Sequence, residues 1–497
     1  MDVRIRKFEE RDIPDKVRWI NDARNNQYLH YDLPLDFDKT LAWFERVKER
    51  SDRYDAVIEV DEKPVGIIGL LNIDARNGKA EYYITLGERG YLGRGVARKA
   101  SELLLEYAFH ELNLNRVYLF TEVENLAAQR LFERLGFRKE GLLRGDVKKG
   151  SRYVHRFVFG LTKEDYERDR RIGRCGPAEE LWRSPIHESN LDLHGNRLFY
   201  KREDLLPFSF GGNKARKARF FFEDIEKSGN DCVVTYGSNA SNHCRVIANM
   251  AAQRQLPCYI ISPVGSSQPT VNSRMVELLN GHRITCSVDD VSTTIEATLR
   301  VLRHEGLKPY FIEGGGHGVL GTQAYVDCYD EIVLQEAELG LHFDYVFLAS
   351  GTGTTQAGLV CGRLLHGHAK EIVGISIARK NPRGHEVIRQ SILDFIRSRK
   401  LGLAFNEDSV QFVDDYVLEG YASVNRELLD VIYNVFLNDG VPLDMTYTGK
   451  AFWGMHKYLQ ERRITGKNVL FLHTGGTPLF FDGLGEVHYA RTHRRQE

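Results

Sequence analysis

The chain has 497 residues, enough for two or three domains, and its 42% hydrophobic and 28% charged residues are those of an ordinary soluble globular protein. A formal net charge of −1 carries no electrostatic footprint of a nucleic-acid or anionic-membrane binder, so neither partner is expected. No apolar run approaches a membrane span, residues 1–10 are too charged for a secretory signal, and seven scattered cysteines without a CxxC pair predict free thiols in a reducing cytoplasm.

Val3 and Ile5 alternate with charged residues and predict an opening strand, followed by a helix containing Val17, Trp19 and Ile20. A second helix is expected over about 40–48, burying Leu41, Trp43, Phe44 and Val47. Residues 56–60, 65–73 and 80–86 read as successive antiparallel strands, with turns at Asp61-Glu62-Lys63-Pro64 and Ala75-Arg76-Asn77-Gly78. Tyr91-Leu92-Gly93-Arg94-Gly95-Val96-Ala97 then forms a glycine-rich turn ahead of a helix over about 98–110. Such a turn aims several N–H groups from the positive end of a helix and can seat a pyrophosphate, although many strand–helix turns carry glycines. A strand over 116–121 leads into Asn125-Leu126-Ala127-Ala128 and a helix through Leu131 and Phe132 to Gly136-Phe137.

Together these pieces, over residues 1–166, resemble the GNAT acyl-CoA N-acetyltransferase superfamily, in the branch with ribosomal-protein and nucleotide-amino-sugar acetyltransferases. Gly93, Arg94, Gly95, Val96 and Ala97, preceded by Leu92, match its pyrophosphate motif, and Asn125 with Ala128, Leu131, Gly136 and Phe137 its second motif. The resemblance implies a mixed antiparallel and parallel sheet with helices, acetyl-CoA held at those residues, and acetyl transfer to a small amine of amino-sugar or amino-acid type. Leu92 stands where many members carry Arg or Gln, which matters little where backbone amides hold the phosphates. Phe132 stands where a tyrosine general acid is common, and a phenyl ring cannot protonate a departing thiolate. Glu81, Tyr83 and Glu122, on strands near the expected amine, are candidate bases, and each would equally serve as a solvated or strand-pairing side chain. An acetyl-CoA-binding sensor without transfer is the alternative that Phe132 leaves open.

The dense charge over 163–174, with Gly176-Pro177 beyond, reads as a solvated helix end passing into a linker over 167–182, with a second domain over 183–497. From Gly212 onward helices alternate with strands, at 232–236 and 258–262 among others, the signature of an α/β layer with parallel strands. In Gly211-Gly212-Asn213-Lys214-Ala215-Arg216-Lys217 the glycines allow a tight turn, and Lys214 sits where a loop meets a helix start. A lysine beside a phosphate-binding surface is the usual arrangement for pyridoxal phosphate, though alone the run equally describes a capped helix with surface lysines. Gly237-Ser238-Asn239-Ala240-Ser241-Asn242-His243 is a second strand-to-helix turn, where Asn242 can bond a phosphate and Ser241 can move a proton; a plain helix cap has the same residues. A buried strand over 346–349 ends in Ser350-Gly351-Thr352-Gly353-Thr354-Thr355-Gln356-Ala357-Gly358, a cradle for a single phosphate. It has neither the Gly-Lys-Ser/Thr of a Walker loop nor the acidic partner of a dinucleotide fingerprint. A strand over 469–472 stops at His473-Thr474-Gly475-Gly476-Thr477-Pro478, where Thr474 can meet a ring nitrogen.

The order and spacing of these four loops, over about 183–490, resemble the fold type II pyridoxal phosphate enzymes, the tryptophan synthase β-like group, and within it the D-cysteine desulfhydrase and aminocyclopropane-carboxylate deaminase family. The resemblance implies an α/β domain of two sub-lobes in which Lys214 carries pyridoxal 5'-phosphate as its Schiff-base lysine. It assigns the phosphate to Lys217, Asn242, Gly351, Thr352, Gly353, Thr354 and Thr355, and the pyridine nitrogen to Thr474. Ser241, Tyr421 and Tyr447 would surround the substrate. The deaminase group carries a glutamate after the second tyrosine, beside the ring nitrogen; Thr448 here implies a weaker electron sink, suited to β-elimination from a D-amino acid. Ala240 replaces a larger polar residue on the floor beside Ser241. The expectation is a bifunctional cytoplasmic enzyme, by resemblance a homodimer, acting on small-molecule amines. It would join an N-acetyltransferase to a lyase releasing a keto acid, ammonia and, from D-cysteine, sulfide. A racemase, dehydratase or synthase is the alternative for the second half.

Overall fold

The computed structural model describes residues 1–150, 152–172, 182–264, 269–421 and 423–487, and the chain folds as two units, Met1–Pro177 and Ala178–Glu497. The charged run is helical as far as Ile172, and residues 173–181 of the expected linker lie outside the described residues, as does Cys175.

The first unit runs β1 (Val3–Lys7), α1 (Ile13–Asn21), α2 (Phe37–Val47), β2 (Tyr54–Val60), β3 (Lys63–Asp74) and β4 (Lys79–Leu86). It continues with α3 (Val96–Glu106), β5 (Arg116–Glu122), α4 (Leu126–Arg134), β6 (Arg138–Lys149), β7 (Arg152–Thr162) and α5 (Lys163–Ile172). One sheet holds all seven strands in the order β1-β2-β3-β4-β5-β7-β6, antiparallel throughout except for β4 against β5. That exception makes the site. β4 and β5 are paired only from Lys79↔Arg116 to Glu81↔Tyr118 and then part, so residues 82–86 and 119–122 form the walls of an open wedge. The β6–β7 hairpin has no counterpart in the sequence reading: β6 alternates half-buried with exposed residues dense in charge, and β7 carries a largely apolar run without alternation, buried over Phe159–Leu161. On α2, Leu41, Trp43 and Phe44 pack only partly buried against the cluster of Phe8, Trp19 and Ile20, whereas Val47 and Thr40 are buried.

The second unit opens with β8 (Ile186–Glu188), β9 (Arg197–Arg202), α6 (Asn213–Ser228), β10 (Cys232–Tyr236), α7 (Asn242–Gln253) and β11 (Cys258–Pro263). It proceeds through α8 (Val271–Leu278), β12 (His282–Cys286), α9 (Val291–His304), β13 (Pro309–Ile312), α10 (Val319–Leu339), β14 (Tyr345–Ser350) and α11 (Thr354–His366). It closes with β15 (Glu371–Ser376), α12 (Arg383–Ser398), β16 (Gln411–Val413), α13 (Arg426–Asp439), α14 (Thr448–Glu461), β17 (Asn468–His473) and α15 (Thr477–Asp482). Two sheets result, β12-β11-β10-β13 and β16-β15-β14-β17-β9-β8, parallel except for the edge strand β8. Parallel strands present all their carboxyl ends on one side, so the loops after β10, β14, β15 and β17 can converge on one cavity. Six cysteines among the described residues are free thiols, and no described helix is long and apolar enough to cross a membrane.

Candidate functional site

The loop before α6 has a conformation that only glycine holds comfortably. Gly211 and Gly212 have φ of +60° and +91°, and a Cβ on them would lie 2.5 Å from the Glu203 carbonyl oxygen and 2.8 Å from that of Thr474. The Asn213 N–H donates to the same Thr474 carbonyl at 2.9 Å, so the start of α6 is locked to the loop after β17. Behind it, the Arg216 guanidinium joins Glu203 (2.7 Å) and Glu331 (2.9 Å), and the Tyr325 hydroxyl donates to Glu203, a buried and fully paired network that fixes the helix.

Lys214 is thereby held facing a cavity of about 340 Å³, with burial lowering its amine to about 8. Lys217, one turn along the same face, is buried, donates to Thr354 Oγ1 at 3.0 Å and has no carboxylate partner among the described residues. Two enclosed ammonium groups without a counter-anion beside a helix N-terminus fit a dianionic phosphate. The cradle itself is the start of α11: Gly353 has φ of +88° and a Cβ there would meet Ile388 at 2.9 Å, while Gly351, Thr352, Gly353 and Thr355 line the cavity. Asn242, at the start of α7, accepts from Asn272 Nδ2 at 2.9 Å, which leaves its own amide N–H₂ for the cavity. Ser241 caps α7 by accepting from the Cys244 N–H, and both Ser241 and Thr474 line the cavity. These residues fit pyridoxal phosphate.

Two assigned side chains reach the site indirectly. Lys217 and Thr354 do not line the cavity and act on its wall through their mutual hydrogen bond. Thr448 is a correction: its hydroxyl donates to Asp444 Oδ2 at 2.7 Å and accepts from the Asp444 N–H, so it stands off the cavity lining, bonded into the turn that opens α14. Asp444 also accepts from the N–H groups of Thr446 and Tyr447, and in this way orients Tyr447. The Tyr447 and Tyr421 hydroxyls meet at 2.5 Å and both rings line the cavity; burial holds Tyr447 protonated. Sequence reasoning missed Tyr236, His243, Asp444 and Arg379. His243 is kept neutral by burial and bonds Thr235 Oγ1 at 2.8 Å, and Arg379 faces the cavity with its Nη1 buried and unpartnered among the described residues. Tyr236 ends β10 and Arg379 follows β15, while His243 lies in the first turn of α7 and Asp444 in the loop after α13, so no shared local pattern marks them.

In the first unit the wedge between β4 and β5 opens a cleft of about 1100 Å³. Leu92, Gly93, Gly95, Val96 and Ala97 line it at the start of α3, with Gly93 and Gly95 at φ of +72° and +79°; Arg94 does not line it. Asn125 lines it from the start of α4, where its side chain accepts from the Ala128 N–H at 3.2 Å. All three candidate bases reach the cleft, in different states. Tyr83 donates to Asp55 at 2.6 Å and burial pushes its hydroxyl well up, which disfavours it as a base. Glu122 is buried and paired with Lys149 at 2.7 Å, with His30 at 3.5 Å. Glu81, at the point where the strands part, accepts from Asn72 at 3.0 Å and has no cationic partner among the described residues. Phe132 packs edge-on to Tyr82, whose buried hydroxyl bonds Ser101 at 2.6 Å and also lines the cleft.

Comparison with known proteins divides at the same place. Residues 178–475 match the model of the pyridoxal-phosphate dependent enzyme family, and residues 2–138 that of the acetyltransferase (GNAT) domain. The D-cysteine desulfhydrase of Yersinia enterocolitica is 31% identical over 320 residues, covering 62% of this chain and 94% of that protein. The D-cysteine desulfhydrase of Serratia proteamaculans is 31% identical over 321 residues with the same coverage. The crystal structure of an ACC deaminase homologue superposes with a TM-score of 0.59 at 26% identity, covering 65% of this chain and 98% of that one.

Proposed function

Since the chain belongs to the pyridoxal-phosphate dependent enzyme family and carries a GNAT domain ahead of that unit, we propose that it is a bifunctional enzyme: a β-eliminating lyase of a D-amino acid, of the D-cysteine type, joined to an acetyl-CoA-dependent N-acetyltransferase of a small amine. Bound pyridoxal phosphate supplies an electron sink for the α-carbon of an amino acid. Lys214 would tether the cofactor and, once the substrate amine has displaced its nitrogen, would take the α-proton, burial having lowered that amine to about 8. Ser241 orients the substrate carboxylate. The Tyr421–Tyr447 hydroxyl pair holds the proton that leaves with the β-substituent, Tyr447 being kept protonated by burial. With one water consumed, D-cysteine would give a 2-keto acid, ammonia and sulfide. The observation that carries this reading is the pair of enclosed lysines, 214 and 217, facing a glycine–threonine helix start with no carboxylate among the described residues to neutralise them.

In the other unit, backbone N–H groups at the start of α3 hold the pyrophosphate of acetyl-CoA. Glu81, the carboxylate without a cationic partner among the described residues, accepts the amine proton, and Tyr82 supplies the proton that Phe132 cannot. The experiment is twofold. Purified protein should show a visible cofactor band that Lys214→Ala abolishes, and should release sulfide from D- but not L-cysteine. Acetyl-CoA should release free thiol with a small amine. Racemised cysteine in place of sulfide would sink the lyase reading, and acetyl-CoA binding without thiol release across an amine panel would make the first unit a sensor.

A further inference from the structure

Lys450, in the first turn of α14, is fully buried, and no carboxylate among the described residues pairs with it. Its ammonium is enclosed by oxygen atoms instead. It donates to the backbone carbonyls of Gly420 (2.7 Å), Val417 (3.2 Å) and Ile377 (3.5 Å), and lies 3.5 Å from Ser423 Oγ. Those carbonyls belong to chain that no ladder or helix satisfies. Residues 417–421 run as an irregular turn with Leu418 and Gly420 at φ of +61° and +135°, folded over Ser423, whose hydroxyl bonds the Val417 and Gly420 carbonyls. Buried carbonyls facing inward together repel one another unless a cation or donor stands among them.

The three attachment points are places where the cavity is built. Ile377 lines it from the end of β15, Gly420 precedes the lining residue Tyr421, and Lys450 stands one turn after the lining residue Tyr447. One ammonium therefore ties the backbone just before Tyr421 to the helix that begins after Tyr447.

We propose that Lys450 is a positioning residue whose ammonium serves as a tethered monovalent cation for the Tyr421 loop, so that the native protein needs no free one. Removing the side chain should leave a ring of carbonyl oxygens with room for a small cation, and so turn a cation-independent protein into a cation-dependent one. The inference uses the site described above, but its main readout does not depend on the reaction assigned to that site.

The test is the cofactor-loaded Lys450→Ala protein, dialysed into tetramethylammonium chloride and titrated with potassium, ammonium or methylammonium at constant ionic strength. Its Tm is expected to fall by roughly 5 °C against the native protein and to recover with the three small cations. Lys450→Met, which fills the same room with an apolar chain, should fall alike and not recover; the native protein should not respond. Turnover of D-cysteine in Lys450→Ala should follow the Tm, recovering about tenfold. Recovery of Tm without turnover retains the cation site and removes the assigned reaction. Should Lys450→Ala not accumulate folded, its refolded fraction from urea is read in the same salts. A response equal in all cations, equal in native and Lys450→Met protein, or absent from Lys450→Ala overturns the proposal.

Discussion

The Lys217 ammonium donates to Thr354 Oγ1 at 3.0 Å, joining the helix that carries Lys214 to the helix start that forms the phosphate cradle. Burial, with Lys214 nearby, lowers this amine well below its ordinary value, so without an anion beside it the charged form is disfavoured. A phosphate supplies the missing charge. Lys217→Met is expected to weaken cofactor binding about 10- to 150-fold, the loss of one charge-assisted hydrogen bond of roughly 1.5–3 kcal/mol. Equilibrium titration followed by the visible band measures it, and an unchanged affinity would remove Lys217 from the phosphate site.

A methyl group at position 212 should be as damaging as loss of the lysine. Gly212 has φ of +91° and ψ of 170°, a region essentially closed to other residues, and its added Cβ would press on the Thr474 carbonyl at 2.8 Å. Gly212→Ala is expected to cost roughly 1–3 kcal/mol from the backbone alone and to lower Tm and cofactor retention together. Gly229→Ala, also at positive φ but with open space around it, should lower Tm only. Equal cofactor loss in both variants would contradict the locking of α6 to the Thr474 loop.

The two glutamates of the acetyltransferase cleft should separate cleanly. Glu122 is tied to Lys149 at 2.7 Å, whereas Glu81 bonds only the neutral Asn72 among the described residues. Glu81→Gln is expected to lower kcat for acetyl transfer about 10²- to 10⁴-fold, the usual worth of a positioned base. Glu122→Gln should chiefly lower stability, because it replaces a buried ion pair by a neutral contact and leaves Lys149 only the Gln27 carbonyl. Thiol release with a saturating amine reads the first and thermal unfolding the second; the reverse pattern would exchange the roles.

Why these side chains differ in legibility follows from how far apart their partners lie. Lys214, Ser241, the Gly351–Thr355 loop and Thr474 each stand beside their own glycine or cap at a helix start, so a few consecutive residues reveal them. The Arg216–Glu331, Asp444–Thr448 and Lys450–Ile377 contacts gave no such signal, because neither a buried network nor a carbonyl ring has a local pattern. Thr448 illustrates the hazard: the resemblance set it beside the ring nitrogen, while Asp444 takes its hydroxyl. The β4–β5 wedge was likewise invisible, since strand length says nothing about where pairing stops.

Lys16 gives the first unit a pH dependence whose direction is fixed. Its ammonium lies 3.1 Å from the centroid of the Trp43 ring, buried at the edge of the acetyltransferase cleft. Burial lowers it from 10.5 to about 7, with Asp55 opposing the change and Arg53 adding to it. The Trp43 face also favours the charged form and damps the effect. In the unfolded chain Lys16 keeps its ordinary value, so between about pH 7 and 10.5 the unfolded state binds more protons at this site. Stability from this group therefore rises with pH across that window. Below pH 7 both states are charged and the cost of burying the ammonium is fully present, of the order of a few kcal/mol. Lys16→Met should remove that cost. It is expected to be more stable than the native protein at pH 6.5, with the difference shrinking steadily and levelling off by about pH 10. Urea unfolding of both proteins at matched pH values measures the gap. A gap independent of pH would mean that Lys16 holds its proton throughout and that the Trp43 face, rather than burial, governs it.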